Sequence, residues 1–176
     1  IELLYRFHEK ENIKFATRVH RYLETLLPVF PFLEQFTLMI NSENSFPHSA
    51  GIASSASSMS GLALALCSME QQLFNLTTSD DNFFAKASYL ARLGSGSAAR
   101  SLYPGVVEWG GGEQSDYFAS PITNIDPSFL TMKDAILMVS GKAKPLSSSE
   151  GHLLMEQHPF ATARYQQANS NCQKIL

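Results

Sequence analysis

The chain has 176 residues, of which 44% are hydrophobic and 16% charged, and this composition excludes an intrinsically disordered protein. Its net charge of -3 gives no basic field for nucleic acid. No segment is apolar over the roughly 18 residues that a membrane helix needs, and the charged N-terminal segment is unlike a signal peptide. We therefore expect a globular, cytoplasmic protein that binds neither nucleic acid nor membranes.

The first half of the chain is predicted to combine helices with one strand. Apolar residues at helical spacing predict one or two amphipathic helices over residues 1–27. The β-rich run at 36–42 predicts a strand, and the small residues of 56–73 predict a buried, closely packed helix. Asp80 and Asp81 are expected to cap a helix that ends near residue 93.

The second half is predicted to alternate short elements with irregular segments. We expect a short helix over 98–102, a strand over 106–109, a glycine turn over 110–112, an irregular surface segment over 113–128, a strand over 135–140, and helical structure over 150–176 that is interrupted near Pro159.

The two cysteines, Cys67 and Cys172, are far apart and lack metal-ligand spacing. Cys67 lies in an apolar run and is predicted to be a reduced core residue, as in a reducing cytoplasm. The chain has no initiator Met and stops within a helical pattern, so we expect a fragment of a longer protein.

A loop of small residues over 47–56 precedes the predicted long helix. Small residues at a helix start leave backbone N–H groups unobstructed, and the helix dipole favours an anion there. The hydroxyls of Ser54 and Ser55 would add donors. Serine and alanine also permit close helix packing, and the Gly-Lys-Ser/Thr of a P-loop is absent.

A second loop runs Gly94-Ser95-Gly96-Ser97 and is followed by Arg100. Glycine allows close approach of the backbone and a positive φ, serine adds short donors, and arginine suits a carboxylate or phosphate. On a helix that opens near Ser97, Arg100 lies one turn on and can face the same site. The alternative is an ordinary exposed arginine at the end of a loop. Together, the two loops suggest an enzyme that acts on a phosphorylated, acidic metabolite.

Other candidate residues give weaker signals. The five histidines are scattered without metal-ligand spacing, although His48 borders the first loop. Trp109 is expected in the core. No Gly-x-Ser-x-Gly elbow is present, and no aspartate is marked as a base.

Both loops resemble signatures of one family. Asn44 to Pro47 running into Ala50-Gly51-Ile52-Ala53-Ser54-Ser55-Ala56 resembles the phosphate loop of the GHMP kinase superfamily, in the variant typical of diphosphomevalonate decarboxylases. The run 94–103, with Gly105 and 107–109 after it, is similar to that family's second signature. With the strand at 136–140 and the Ser-rich loop before Gly151, the resemblance extends over nearly the whole chain from about residue 36.

The resemblance implies an α/β (α+β) two-domain fold of the GHMP kinase type. Residues 1–130 would be the C-terminal portion of the nucleotide-binding N-terminal domain, which is similar to domain 2 of ribosomal protein S5. Residues 131–176 would begin a ferredoxin-like C-terminal domain. A homodimer is expected.

The resemblance also implies an activity, the ATP-dependent decarboxylation of mevalonate 5-diphosphate to isopentenyl diphosphate, phosphate and CO2. ATP phosphorylates the tertiary 3-hydroxyl, and loss of that phosphate with CO2 forms the alkene. The implied cofactors are ATP and Mg2+. Alternatives are a mevalonate 3-kinase or a phosphomevalonate decarboxylase of the same fold, or a non-catalytic phosphate-binding module.

Site roles follow from the same resemblance. Ser55 and Arg100 would be catalytic, and Ser55 would also contact Mg2+. The nucleotide phosphates would be bound by residues of the first loop: Ala50, Gly51, Ala53, Ser54 and Ser55. Phosphate or hydroxyl groups of the substrate would be held by Ser95, Gly96 and Ser97, and its carboxylate by Arg100. The diphosphate of the substrate would be approached by Ser148 and Ser149. Where some members have an arginine in that last loop, this chain has Ser148-Ser149-Glu150. The family's N-terminal Asn and Lys and its catalytic Asp have no match here, so the isolated chain is expected to be inactive.

Overall fold

A computed structural model describes residues 1–46, 53–110, 117–137 and 148–175. The strands are β1 (Glu2–Phe7), β2 (Lys10–Glu11), β3 (Thr37–Ser42), β4 (Val107–Glu108) and β5 (Ser120–Pro121). The α-helices are α1 (Ile13–Leu26), α2 (Ser54–Phe74), α3 (Asp80–Gly94), α4 (Ser148–Glu156) and α5 (Ala161–Ile175), and 3-10 helices span Pro31–Gln35, Gly96–Leu102 and Pro127–Thr131. We call Gly96–Leu102 the arginine helix, because it carries Arg100.

The larger sheet has the strand order β2-β1-β3. β1 pairs antiparallel with β2 and parallel with β3, where Leu3 lies opposite Leu38 and Leu4 opposite Met39. Leu38 is buried, whereas Leu4 and Met39 are exposed. Because side chains alternate between the faces of a strand, one face of this sheet meets the core and the other is open in the described residues.

The prediction of helices over all of residues 1–27 is wrong for residues 1–11, which form β1 and β2. Leu3, Tyr5 and Phe7 are spaced two apart, which is the period of a strand, and pairing with β3 fixes that conformation. The helical expectation holds from Ile13 onward, where α1 begins with the Asn12 side chain accepting a hydrogen bond from the N–H of Phe15. The strand predicted at 36–42 is confirmed as β3.

Small residues determine how the helices pack. α2 packs against α3, and both pack against the arginine helix. The side chains at these contacts include fully buried alanines, which let the backbones approach closely: Ala63, Ala87, Ala91, Ala98 and Ala99. The buried helix predicted over 56–73 is confirmed as α2, and Cys67 is buried in it as a free thiol.

The helix expected to end near residue 93 is confirmed as α3, but its predicted caps are wrong. Asp80 and Asp81 lie in the first turn, and the N-cap position is Ser79. The two carboxylates are therefore placed to interact with the positive end of the helix dipole instead of bonding the first N–H groups.

The later elements match the predictions in part. The helix at 98–102, the strand at 106–109 and the helices around Pro159 are confirmed. The irregular surface segment predicted at 113–128 is confirmed over 122–126, which has no helix or strand and is mostly exposed. It is wrong at 119–121, because Ala119 is fully buried and β5 pairs with β4. The strand predicted at 135–140 is absent from its described residues 135–137, where Leu137 is 89% exposed, and the rest of it lies outside the described residues.

In the glycine turn predicted at 110–112, Gly110 has a φ of 91°, while residues 111 and 112 lie outside the described ranges. Among the described helices, none has the length and apolar character needed to cross a membrane.

Candidate functional site

The first side of the site is the start of α2. Ala53 precedes the helix with a φ of 50°, in the left-handed region, and no side chain caps the helix. At the start of α2 the N–H groups of Ala56 and Ser57 donate to the Ala53 carbonyl. The N–H groups of Ser54 and Ser55 come before the first intrahelical bond, so they are the ones placed to meet an external acceptor. Ser54 and Ser55 are half-buried here, and the Ser54 carbonyl accepts a hydrogen bond from the Ser58 hydroxyl.

The second side is the arginine helix, which follows α3 directly. The Ser95 N–H donates to the Ala91 carbonyl at the end of α3, and the Ala98 N–H donates to the Ser95 carbonyl. Ala98 and Ala99 are fully buried, whereas Arg100 is exposed. One side of this short helix is therefore fixed in the core while its arginine is presented to solvent.

The two loops meet in space, although they are about forty residues apart in sequence. The Ser55 and Ser95 hydroxyl oxygens lie 3.5 Å apart. Next to them is an open depression of about 310 Å³, which we call the two-loop depression. Its lining comes from both loops and from the segment after them: Ala53, Ala56, Ser97, Arg100, Ser101, Tyr103, Gly105 and Val107. Of the predicted site residues, Ala53 from the first loop and Ser97 and Arg100 from the second line this depression. Ser54, Ser55, Ser95 and Gly96 are not in its lining, although Ser55 and Ser95 contact each other.

The two-loop depression favours an anion. Its described lining has one cation, Arg100, and no carboxylate. Within the described ranges the Arg100 guanidinium has no hydrogen-bond or ion-pair partner. A guanidinium of this kind can donate two parallel hydrogen bonds to a carboxylate or phosphate. Burial, with a smaller effect of Asp81, raises the pKa of Tyr103, so this neighbour is a neutral hydroxyl at neutral pH.

Gly94 and Gly96 are needed for packing within the protein. A Cβ at Gly94 would lie 2.7 Å from the Met59 sulfur, and one at Gly96 would lie 3.1 Å from the Trp109 ring. Neither glycine has a positive φ, so that part of the prediction is wrong. These glycines let α3 and the arginine helix pack closely against α2 and Trp109.

Several residues that support this site were missed from the sequence. The Ser88 hydroxyl donates to the Ala99 carbonyl and accepts from the Ala119 N–H. The Tyr22 hydroxyl donates to the Leu90 carbonyl, and burial raises the pKa of Tyr22. In the sequence, the only indication for Ser88 is that it follows Ala87 and lies among small residues. This suggests close packing, but it does not identify the groups to which the hydroxyl bonds.

Among the other candidates in the described residues, Trp109 contacts the second loop and Asp126 lies in a turn. Trp109 is half-buried against Gly96, and its buried indole N–H has no hydrogen-bond partner within the described ranges. The hydroxyl and N–H of Ser128 donate to Asp126 and lower the pKa of this exposed carboxyl group, which marks a turn. His48, Ala50 and Gly51 lie outside the described residues.

Ser148 and Ser149 begin α4, but their side chains are outside the described part of the structure. The described residues include no cluster of three or more His, Cys, Asp or Glu side chains that would hold a metal ion.

Comparison with solved structures identifies the fold. A mevalonate diphosphate decarboxylase from Legionella pneumophila matches with a TM-score of 0.67 and 24% identity, over 98% of this chain and 53% of that one. A mevalonate diphosphate decarboxylase from Enterococcus faecalis matches with a TM-score of 0.50 and 29% identity, over 69% of this chain and 36% of that one. That structure was described for its mevalonate diphosphate mediated ATP binding mechanism. The chain therefore has the α/β GHMP kinase fold.

Sequence comparison identifies the family. Residues 4–119 match the model of the diphosphomevalonate decarboxylase-like N-terminal domain. The diphosphomevalonate decarboxylase of Eremothecium gossypii is 38% identical over 136 residues, which is 76% of this chain and 32% of that protein. The chain belongs to the diphosphomevalonate decarboxylase family, and the predicted resemblance is confirmed. It spans about a third of the length of the curated relatives it matches.

Proposed function

We propose that this chain forms part of an enzyme that uses ATP to convert mevalonate 5-diphosphate to isopentenyl diphosphate, ADP, phosphate and CO2. The observation that carries the proposal is the two-loop depression, where Ser97 and Arg100 from one family signature line the same surface as Ala53 and Ala56 from the other. Family membership supports this choice of reaction.

On the substrate side, Arg100 would bind the carboxylate, while Ser95, Gly96 and Ser97 would hold hydroxyl or phosphate groups. The planar guanidinium can donate two parallel hydrogen bonds to a carboxylate, and this one has no competing partner in the described residues. Held this way, the carboxylate stays oriented until the carbon–carbon bond breaks. The electron pair of that bond becomes the double bond as the carbon–oxygen bond to the departing phosphate breaks.

On the nucleotide side, Ser54 and Ser55 would hold ATP phosphates at the start of α2, together with the backbone of Ala50, Gly51 and Ala53. The uncapped start of α2 fits this role, because free N–H groups and the helix dipole favour phosphate. Mg2+ would neutralise charge on the transferring phosphoryl group. The Ser55 hydroxyl would supply one oxygen ligand of this ion.

The remaining assignments are parts of the same proposal. Ser148 and Ser149 would approach the substrate diphosphate. Residues 1–130 would belong to the N-terminal domain and residues 131–176 to the C-terminal domain, in a cytoplasmic homodimer. Nearly all of the buried residues that the structure describes lie between Tyr5 and Ala119, which supports the proposed division into domains. The two free cysteines support a reducing compartment.

The test is a substrate panel with the intact gene product that contains these residues. ADP and CO2 are measured with mevalonate, its 5-phosphate and its 5-diphosphate. We expect the highest kcat/KM with the 5-diphosphate and one CO2 for each ADP. ADP formation from mevalonate without CO2 would indicate a 3-kinase, a preference for the 5-phosphate would indicate the monophosphate decarboxylase, and binding without turnover would indicate a binding module. Each of these would overturn the proposal.

A further inference from the structure

Ser88 joins three parts of the fold through a single hydroxyl. It lies in α3 and is fully buried. Its Oγ donates to the Ala99 carbonyl in the arginine helix at 2.9 Å and accepts from the Ala119 N–H, just before β5, at 2.8 Å. The hydroxyl therefore uses both its donor and an acceptor position on backbone groups of two other segments.

Both segments lead directly to the two-loop depression. Ala99 immediately precedes Arg100, and Ala119 immediately precedes β5, whose partner β4 contributes Val107 to the lining. A shift of the Ala99 carbonyl would move the backbone that carries the guanidinium. A shift at Ala119 would reach Val107 in the lining through the β4–β5 pair.

The backbone groups held by Ser88 depend on this hydroxyl. Ala99 and Ala119 are both fully buried, as are the neighbouring Ala87 and Ala91, so the hydroxyl lies among small, tightly packed groups. A buried carbonyl or N–H without a partner costs about 1–3 kcal/mol. Removing the hydroxyl is therefore expected to displace one or both segments.

We infer that Ser88 is a positioning residue that fixes the arginine helix against α3 and so sets where Arg100 meets the substrate carboxylate. The assignment to a carboxylate rests on the proposed function. The tie between Ser88 and the arginine helix does not, and the two are tested separately.

The first experiment needs no substrate. Hydrogen exchange of the intact gene product is compared for wild type, Ser88→Ala and Ser60→Ala. Ser60 is the matched control, because its buried hydroxyl donates to the Ala56 and Ser57 carbonyls within its own helix and has no partner in another described segment. We expect Ser88→Ala to speed exchange at the Ala119 amide and across 96–102, with the middle of α2 unchanged. Unchanged exchange in both segments would overturn the inference.

The second experiment is kinetic. With ATP and mevalonate 5-diphosphate, Ser88→Ala is expected to lower kcat/KM for the diphosphate by about tenfold or more, since small misplacements of a binding group cost this much. KM for ATP should stay within about twofold, because the nucleotide side lies on α2. Ser88→Cys is somewhat larger and keeps a weaker donor and acceptor at the same position. Its kcat/KM should fall between those of wild type and Ser88→Ala, and it remains testable if the alanine variant does not fold.

A double-mutant cycle with Arg100→Ala separates positioning from general destabilisation. If Ser88 acts through Arg100, Ser88→Ala should change the residual rate by less than about twofold in the Arg100→Ala background. An equal loss in both backgrounds would show a merely structural residue and overturn the inference. If exchange changes as expected but Arg100→Ala retains full decarboxylation, the role proposed for Arg100 fails while the tie to Ser88 stands.

Discussion

At the scale of single residues, Arg100 is the side chain on which the proposed chemistry most depends. It is exposed in the two-loop depression, and within the described residues no acid pairs with it. In the intact gene product, Arg100→Ala should lower decarboxylation by at least about a hundredfold, because the substrate carboxylate loses its charged partner. Binding of ATP should stay within about twofold, measured by calorimetry.

Arg21→Ala is the matched control for that substitution. Arg21 is an exposed arginine on α1, outside the two-loop depression, so its loss should leave the rate unchanged. An equal loss of ATP binding and decarboxylation in Arg100→Ala would contradict a role confined to the carboxylate.

Cys67 makes stability depend on alkaline pH. Burial raises the pKa of its thiol to about 11 from an ordinary 9.0. Between these values the unfolded chain releases a proton that the folded chain keeps, so the free energy of unfolding falls as pH rises. One such proton contributes a slope of about 1.4 kcal/mol per pH unit. Below pH 9 the stabilisation is fully present.

Chemical denaturation of the 176-residue chain from pH 8 to 11 measures this slope. Cys67→Ala should flatten it between pH 9 and 10, although the variant is less stable overall. Cys172→Ala, at a partly exposed site, should leave the slope unchanged. A slope that persists in Cys67→Ala below pH 10, where the buried Tyr22 hydroxyl is not yet expected to contribute, would contradict the assignment.

At the scale of elements, alanine substitutions at two glycines test how closely α3 packs against α1 and α2. At Gly94, a Cβ would lie 2.9 Å from Met59 Cγ and 3.0 Å from Tyr22 Cε2, both buried. Gly94→Ala should lower the free energy of unfolding by about 1–3 kcal/mol, because the surrounding core has to shift. Gly61 is the control, since nothing lies within 4 Å of its added Cβ in α2. Gly61→Ala should stabilise by about 1 kcal/mol.

Thermal and urea unfolding of both variants provide the comparison. If Gly94→Ala is as stable as Gly61→Ala, the close approach between α3 and Met59 does not limit this position.

The sequence predicts those elements best whose pattern is local. The small-residue run of α2 and the apolar strand β3 are examples, because neither needs a distant partner to be recognised. β1 was missed because its period-two pattern competes with a helical spacing that continues into α1, and only pairing with β3 decides between them. Burial of Ala119 also depends on a distant residue, Ser88, so no local pattern shows it.

For the candidate site, the sequence indicates the individual loops but not that they meet. Both loops are visible as runs of small and hydroxyl residues before a helix, and Arg100 is identifiable by its position after Ser97. Their meeting at the Ser55 and Ser95 hydroxyls follows from the packing of α2, α3 and the arginine helix. Packing of this kind is set by long-range contacts between helices, which composition and spacing do not encode.

At the scale of the whole molecule, nearly all of the buried hydrophobic residues that the structure describes lie within the first 119 residues. Beyond it, the described residues from Thr123 to Leu137 are exposed apart from partly buried Ile125, and in α4 and α5 only Ala161 is buried. A chain that ends after Leu130 should therefore unfold within about 3 °C of the 176-residue chain, since little buried surface is lost.

A chain that ends after Gly110 is the contrasting truncation. It removes β5 and the Ala119 N–H that donates to Ser88, so it should lose about 2 kcal/mol or more. Calorimetry of the three chains measures both effects. If the cut after Leu130 destabilises as much as the cut after Gly110, the boundary proposed near residue 130 is wrong.

The Arg100 guanidinium, which has no partner in the part of the chain that the structure describes, also bears on how the protein should be handled. A lone cation beside uncharged hydroxyls attracts small oxyanions in general, so inorganic phosphate and sulfate from the buffer would compete there with any acidic ligand. The competition would weaken in a zwitterionic buffer of low ionic strength, and the attraction itself would be screened within about 10 Å at 0.1 M salt. Affinities for an acidic ligand that are measured in phosphate buffer would therefore be lower than the true affinity of this surface for that ligand.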